Sequence, residues 1–140
     1  MNVLGIVSTL CIVLFSGTVV ADREVDCLAK TIYHVGHSQD SDGKQLIGQL
    51  VLNRVKSDKF PNTICEVVYQ NGQFQWTVGE WPIIMPEQYD ESVKIANELL
   101  NTKATETIPV LYYHHYLKPK PTMFYYRNQL FRHGDYIFYD

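Results

Sequence analysis

The spacing of apolar residues changes once along this chain, and that change restricts it to a helical part followed by a small sheet. Val25, Leu28, Ile32 and Val35 recur at three- and four-residue steps, the signature of an amphipathic helix, with Asp22 placed to cap it and Gly36 to end it. The polar run Ser38-Gln39-Asp40-Ser41-Asp42-Gly43 is a turn before a second helix. That helix buries Leu46, Ile47, Leu50, Val51 and Val55, with Arg54 on or beside the same face. Phe60-Pro61-Asn62 breaks the chain, and Thr63 with Glu66 three residues later forms a capping-box pattern opening a short helix through Val67 and Val68. After an aromatic loop holding Phe74, Trp76 and Trp81, residues 87–101 read as a third long helix with Tyr89, Val93, Ala96, Leu99 and Leu100 on its buried side. Beyond Pro109 the character is aromatic and β-favouring: Val110 to Tyr116, Met123 to Tyr126, and Tyr136 to Tyr139, with turns at Lys118-Pro119-Lys120-Pro121 and His133-Gly134-Asp135. A small antiparallel sheet is expected there.

At 140 residues with 46% hydrophobic content, the chain has material for one domain with one core. Its net charge of −3 excludes a sequence-independent grip on nucleic acid, which needs clustered Lys and Arg to release counterions. Val3 to Ala21 carries no charge, and Val19 and Ala21 suit a signal-peptidase site, so residues 1–21 read as an export signal. The alternative is an uncleaved anchor, since the first basic residue is Arg23 and the run approaches the roughly 20 residues that span a bilayer. Either way the membrane is met only through this segment, and residues 22–140 form the working domain. With Cys11 inside the apolar run, Cys27 and Cys65 remain, and export predicts that they pair. Two separately buried thiols are the alternative, and two cysteines are too few for structural zinc.

Several stretches carry a family resemblance. They are Cys27-Leu28-Ala29, Ile32-Tyr33, Gly43-Lys44-Gln45, Val51-Leu52-Asn53-Arg54-Val55, the run from Phe60 to Tyr69, Gln73-Phe74-Gln75-Trp76, and the ending His133-Gly134-Asp135-Tyr136-Ile137-Phe138-Tyr139. Together, in this order, they resemble the SleB-type cell wall hydrolases, a family with bacterial and phage members. The resemblance implies a lysozyme-like α+β fold, mainly helical with a small sheet, that cleaves peptidoglycan glycan strands, commonly as a lytic transglycosylase, through one essential glutamate and without a cofactor. The glutamate's position, two residues after the tyrosine matched by Tyr33, maps to Val35. A further acidic position maps to Gln39, and a histidine common near the end is Tyr136 here. The resemblance also implies a groove lined by Tyr33, Gln73, Phe74, Trp76, Tyr113 and His114.

Glycosidic cleavage needs a proton for the leaving oxygen and a carboxylate for the oxocarbenium-like centre, and valine supplies neither. Substitutes within the sequence are His34 and His37, which flank Val35, and Asp40 or Asp42 in the following turn, although helix capping is the commoner task of such aspartates. Glu66 is accounted for by its capping box, and Glu80 lies in the aromatic loop. Joined by His114 or His115, the histidines could hold a metal, but His34-Val35-Gly36-His37 lacks the glutamate of a zinc-protease signature and no metal is expected. Arg54 and Asn53 read as ties between helix ends and loop carbonyls. Two functions follow: a wall-engaging hydrolase homologue, or a non-enzymatic protein that holds glycan or occludes a partner of a lysis system.

Overall fold

The computed structural model describes residues 16–102 and 107–140, the first four of these by backbone alone. Of the expected export segment 1–21, only residues 16–21 fall within this range; the rest lies outside the described residues. Among the described residues no helix is long and apolar enough to cross a membrane.

Among the described residues four α-helices precede a three-stranded sheet: α1 (Ser16–Gly36), α2 (Ser41–Lys56), α3 (Ile64–Val68), α4 (Pro86–Asn101), then β1 (Tyr112–His115), β2 (Gln129–His133) and β3 (Tyr136–Tyr139). This is the expected mainly helical α+β class. Asp22 lies inside α1 rather than capping it, because no helix breaker separates Thr18 from Asp22 and the turn carries through. Helix α2 begins earlier than expected, inside the polar run rather than after it, with Asp40 as N-cap accepting the Gly43 N–H at 2.8 Å. Thr63 caps α3 through the Glu66 N–H at 3.3 Å.

The core gathers between the helices. Leu28 and Ile32 from α1, Ile47, Leu50 and Val51 from α2, and Val67 and Val68 from α3 are fully enclosed, each such side chain contributing about 1.5–3 kcal/mol of transfer free energy. From α4, Ile95 and Ala96 are buried, with Tyr89, Val93 and Leu99 packed at the margin. Leu100 departs from expectation at 41% exposed, since a step of one residue rotates it by about 100° from Leu99 and off the stripe. The disulfide Cys27–Cys65 joins α1 to α3 with Cα atoms 5.3 Å apart. The Glu24 carboxylate reinforces the joint by accepting the Ile64 and Cys65 N–H groups at 2.6 and 3.2 Å, at the end of α3 where such donors lack partners.

Strand β3 is central, antiparallel to both neighbours, in the order β1-β3-β2. His133 pairs with Tyr136 across a two-residue turn, Gly134-Asp135, whose glycine adopts φ +52°. Period-two alternation separates two faces. Tyr113, Phe131, Tyr136 and Phe138 pack toward the helices, while Tyr112 and Tyr139 form a second cluster with Phe124. The segment expected as a strand at Met123 to Tyr126 is instead a 3-10 turn, Thr122–Tyr126. The Pro121 carbonyl accepts the Phe124 N–H at 2.8 Å, and only Phe124 turns inward. The strand over Gln129–His133 was not anticipated; its polar ends and a bulge between Gln129 and Phe131 blur the alternation.

Candidate functional site

The last turn of α1 presents His34 and Val35 to a pocket of about 230 Å³. Gln75, Trp76 and Trp81 from the aromatic loop form one wall, and Tyr113, His115 and Tyr136 from the sheet form the other. None of these lining residues is a carboxylate. The Tyr136 hydroxyl donates to the Val35 carbonyl at 2.9 Å, satisfying one of the last-turn carbonyls that a helix leaves open. Burial raises the pKa of both Tyr113 and Tyr136, so both phenols are neutral donors at physiological pH.

The His34 ring stacks on Trp76 with centroids 5.0 Å apart and meets Tyr33 edge-on at 4.8 Å. Desolvation lowers its pKa, helped by the nearby charge of Lys30, and its Nε2 is enclosed without a hydrogen-bond partner. A neutral imidazole results at neutral pH. Trp76 Nε1 is likewise enclosed and unpartnered, leaving a donor and a ring nitrogen with unused capacity beside the pocket.

Two further hollows adjoin this pocket through shared residues. His34 and Trp81 also wall a cavity of about 390 Å³ with Tyr33, His37, Ile84 and Met85. Tyr113 also borders a cavity of about 270 Å³ with Arg54, Gln73 and Tyr112. The residues each hollow shares with the pocket are aromatic: His34 and Trp81 for one, Tyr113 for the other. The aromatic loop is held against α1 by the Tyr33 hydroxyl, which accepts the Ile84 and Met85 N–H groups at 3.1 and 3.0 Å.

The sequence-derived candidates separate in space. Trp76 and Tyr113 meet Val35 in one pocket; Tyr33 and His37 line the hollow on one side of it and Gln73 the hollow on the other. Phe74 is only 1% exposed and belongs to the core beneath the groove. His114 lies on the opposite face of β1, stacked on Tyr139 at 5.6 Å, and its place at the pocket is taken by His115. Alternation counted from Tyr113 selects His115. Asp42 lines a separate cavity of about 560 Å³ with Gln45 and His133. Asp40 is engaged by its cap and by His133 Nε2 at 2.7 Å. Glu80, at φ +45°, and Glu66 are exposed. Among the described residues no three His, Cys, Asp or Glu side chains gather as a metal set.

Gln39, at the second position where the resemblance expects an acid, is a latch. Its Nε2 donates to Ser38 Oγ and Asp135 Oδ2 at 2.9 and 3.1 Å, and its Oε1 accepts the Asp135 N–H at 3.3 Å. This closes the β2–β3 turn onto the start of α2 and explains Gly134, where a Cβ would stand 2.1 Å from Gln39 Oε1. Asn53 ties α2 to the strand approach through the Ile108 and Val110 carbonyls at 2.8 and 2.9 Å.

A mainly helical domain with this sheet is also the fold of two solved structures. One is the catalytic domain of the Bacillus cereus SleB protein, with a TM-score of 0.69 at 22% identity over 85% of this chain and 91% of that one. The other is the catalytic domain of the germination-specific lytic transglycosylase SleB from Bacillus anthracis, with a TM-score of 0.69 at 23% identity over 84% and 93%. At these identities the likeness is one of fold. Residues 38–139 match the family model described as Cell Wall Hydrolase, and the chain belongs to that family. The match begins after α1, so Val35 precedes it. No curated protein matches the chain.

Proposed function

We propose that this chain is an exported, peptidoglycan-engaging member of the cell wall hydrolase family that holds glycan strands in its aromatic groove without cleaving them. The observation carrying this reading is the Val35 pocket, whose lining keeps Trp76, Trp81 and Tyr113 but includes no carboxylate. Aromatic faces suit sugar rings, whereas protonating a glycosidic oxygen requires an acid that this pocket does not offer. His34 is a poor replacement, since burial keeps it neutral near pH 7 and a neutral imidazole is no general acid. The Cys27–Cys65 bridge supports export, because such bonds persist in oxidising compartments. Residues 22–140 are the working domain on this reading, and residues 1–21 the signal or anchor.

The test is sedimentation with purified murein alongside release of soluble muropeptides. The expected result is co-sedimentation without release, and release by Val35→Glu, whose carboxyl between Trp76 and Trp81 would have its pKa raised as a general acid needs. Fragment release by the unmodified protein would overturn the binding-only reading. Absence of murein binding would direct the search to a protein partner of a lysis system.

A further inference from the structure

Among the described residues, Arg54 is a buried cation without a counter-ion. It is 3% exposed, with the rings of Phe60, Phe74 and Tyr112 at 4.9, 5.5 and 5.7 Å from its Cζ. Its Nε donates to the Leu111 carbonyl at 2.8 Å and its Nη1 to Gln73 Oε1 at 3.0 Å, two uses from a fork of about five donors. No carboxylate among the described residues forms an ion pair with it. Burial lowers its pKa to about 10, and the charge of Arg127 contributes in the same direction, yet it stays protonated at neutral pH. Arg127 sits 3.5 Å over the ring of Tyr112, also outside any ion pair, with its Nε enclosed and unpartnered. Two guanidiniums beside one ring, with no ion-paired carboxylate among the described residues, make a local field that an anion relieves.

The cavity of about 270 Å³ that Arg54 and Gln73 line is therefore positively biased, and it adjoins the Val35 pocket through Tyr113. We propose that this cavity is a carboxylate-binding subsite in which Arg54 holds an acid group carried by a muramyl residue while a neighbouring sugar occupies the Val35 pocket. This rests on the glycan-holding reading above. The carboxylate has two sources: the lactyl group of a peptide-free muramyl sugar, or the stem peptide of a substituted one. Planar guanidinium donors match either oxygen pair.

The experiment compares four tetrasaccharide probes by titration calorimetry: peptide-free muramyl, the same with its lactyl groups methyl-esterified, stem-peptide-bearing muramyl, and chitotetraose, which has no acid. Binding of at least one acid-bearing probe about tenfold or more above chitotetraose is expected, together with a shift of the Arg54 Nε–H resonance, assigned by its loss in Arg54→Lys. Loss of that advantage on esterification identifies the lactyl group; its presence only with the stem peptide identifies the peptide acid. Equal affinity for acid-bearing and acid-free probes overturns the subsite while leaving glycan binding intact, as does an advantage without an Arg54 shift. If no probe binds, glycan binding itself fails and the subsite with it. The ligand-side comparison holds even where Arg54→Lys fails to fold.

Discussion

The Cys27–Cys65 bridge offers a prediction whose size follows from the fold. The half-cystines are buried, 4% and 6% exposed, and lie 38 residues apart. Closing a loop of that separation removes about 13 cal/mol/K from the unfolded chain in the chain-entropy treatment, or about 4 kcal/mol at 25 °C. Domains of this size are typically stable by about 5–15 kcal/mol, so the loss takes a large share. With a urea dependence of about 1.5 kcal/mol/M, the unfolding midpoint should fall by about 2.6 M in Cys27→Ala/Cys65→Ala and, without mutation, under reductant. The assay is urea denaturation followed by tryptophan fluorescence, with Trp76 buried at the groove as reporter. Below the lowered midpoint α3 should stay docked, because Glu24 still accepts the Ile64 and Cys65 N–H groups. Adding Glu24→Gln should then cost about 1–2 kcal/mol more. A midpoint for the double alanine variant within about 0.5 M of the oxidised protein would refute the reasoning, since a bridge that does not restrain the unfolded chain has no such effect.

Three further predictions concern the ties around the site. Tyr136→Phe removes the bond to the Val35 carbonyl and should destabilise by about 1 kcal/mol, with amide exchange accelerated at the end of α1 by more than at the end of α2. Gly134→Ala forces a side chain into left-handed backbone and against Gln39 Oε1, costing about 2–3 kcal/mol by denaturation. The double variant with Gln39→Ala should lose less than the sum of the two, because both act on one latch. Asp40 is held below its ordinary value of 3.8 by the bonds from His133 and the Gly43 N–H. A depressed carboxylate stabilises the fold above its unfolded value and loses that contribution as pH falls through the folded one. Stability should therefore decline below about pH 4, and Asp40→Asn, which still caps α2, should flatten that acid limb in a pH series of urea midpoints.

The proposed function separates family membership from chemistry, and the groove supplies its physical basis. Belonging to the cell wall hydrolases rests on residues 38–139, a stretch dominated by packing and ties: the α2 core face, Asn53 and Arg54 reaching loop carbonyls, and the sheet centred on Phe138. Such features hold the fold whether or not an acid stands at the end of α1. Val35, partly buried and packed against the core, suits its helix equally well as a structural residue.

What the sequence determined by itself is what short-range physics controls. The α1 stripe from Leu28 to Ile32, the α2 core face, the Thr63 cap and the turn at Gly134 depend on residues within a few positions of one another, and each is found where spacing puts it. The Cys27–Cys65 pair followed from counting thiols in a chain read from its sequence as exported. Local rules failed where two signals compete, as at Asp22, a good cap in a helix already under way, and at Met123 to Tyr126, where β-favouring side chains sit in a 3-10 turn closed by the Pro121 carbonyl. Only the tertiary structure decided which aromatic residues share the pocket. His115 rather than His114 reaches it, Phe74 sinks beneath it, and Tyr136 meets Val35 across 101 positions. Composition could not show that Arg54 forms no ion pair with a carboxylate among the described residues, because that depends on every element packed around α2 at once. Spacing along a chain sets which way a side chain points from its own helix or strand; what it meets there is set by how the elements come together.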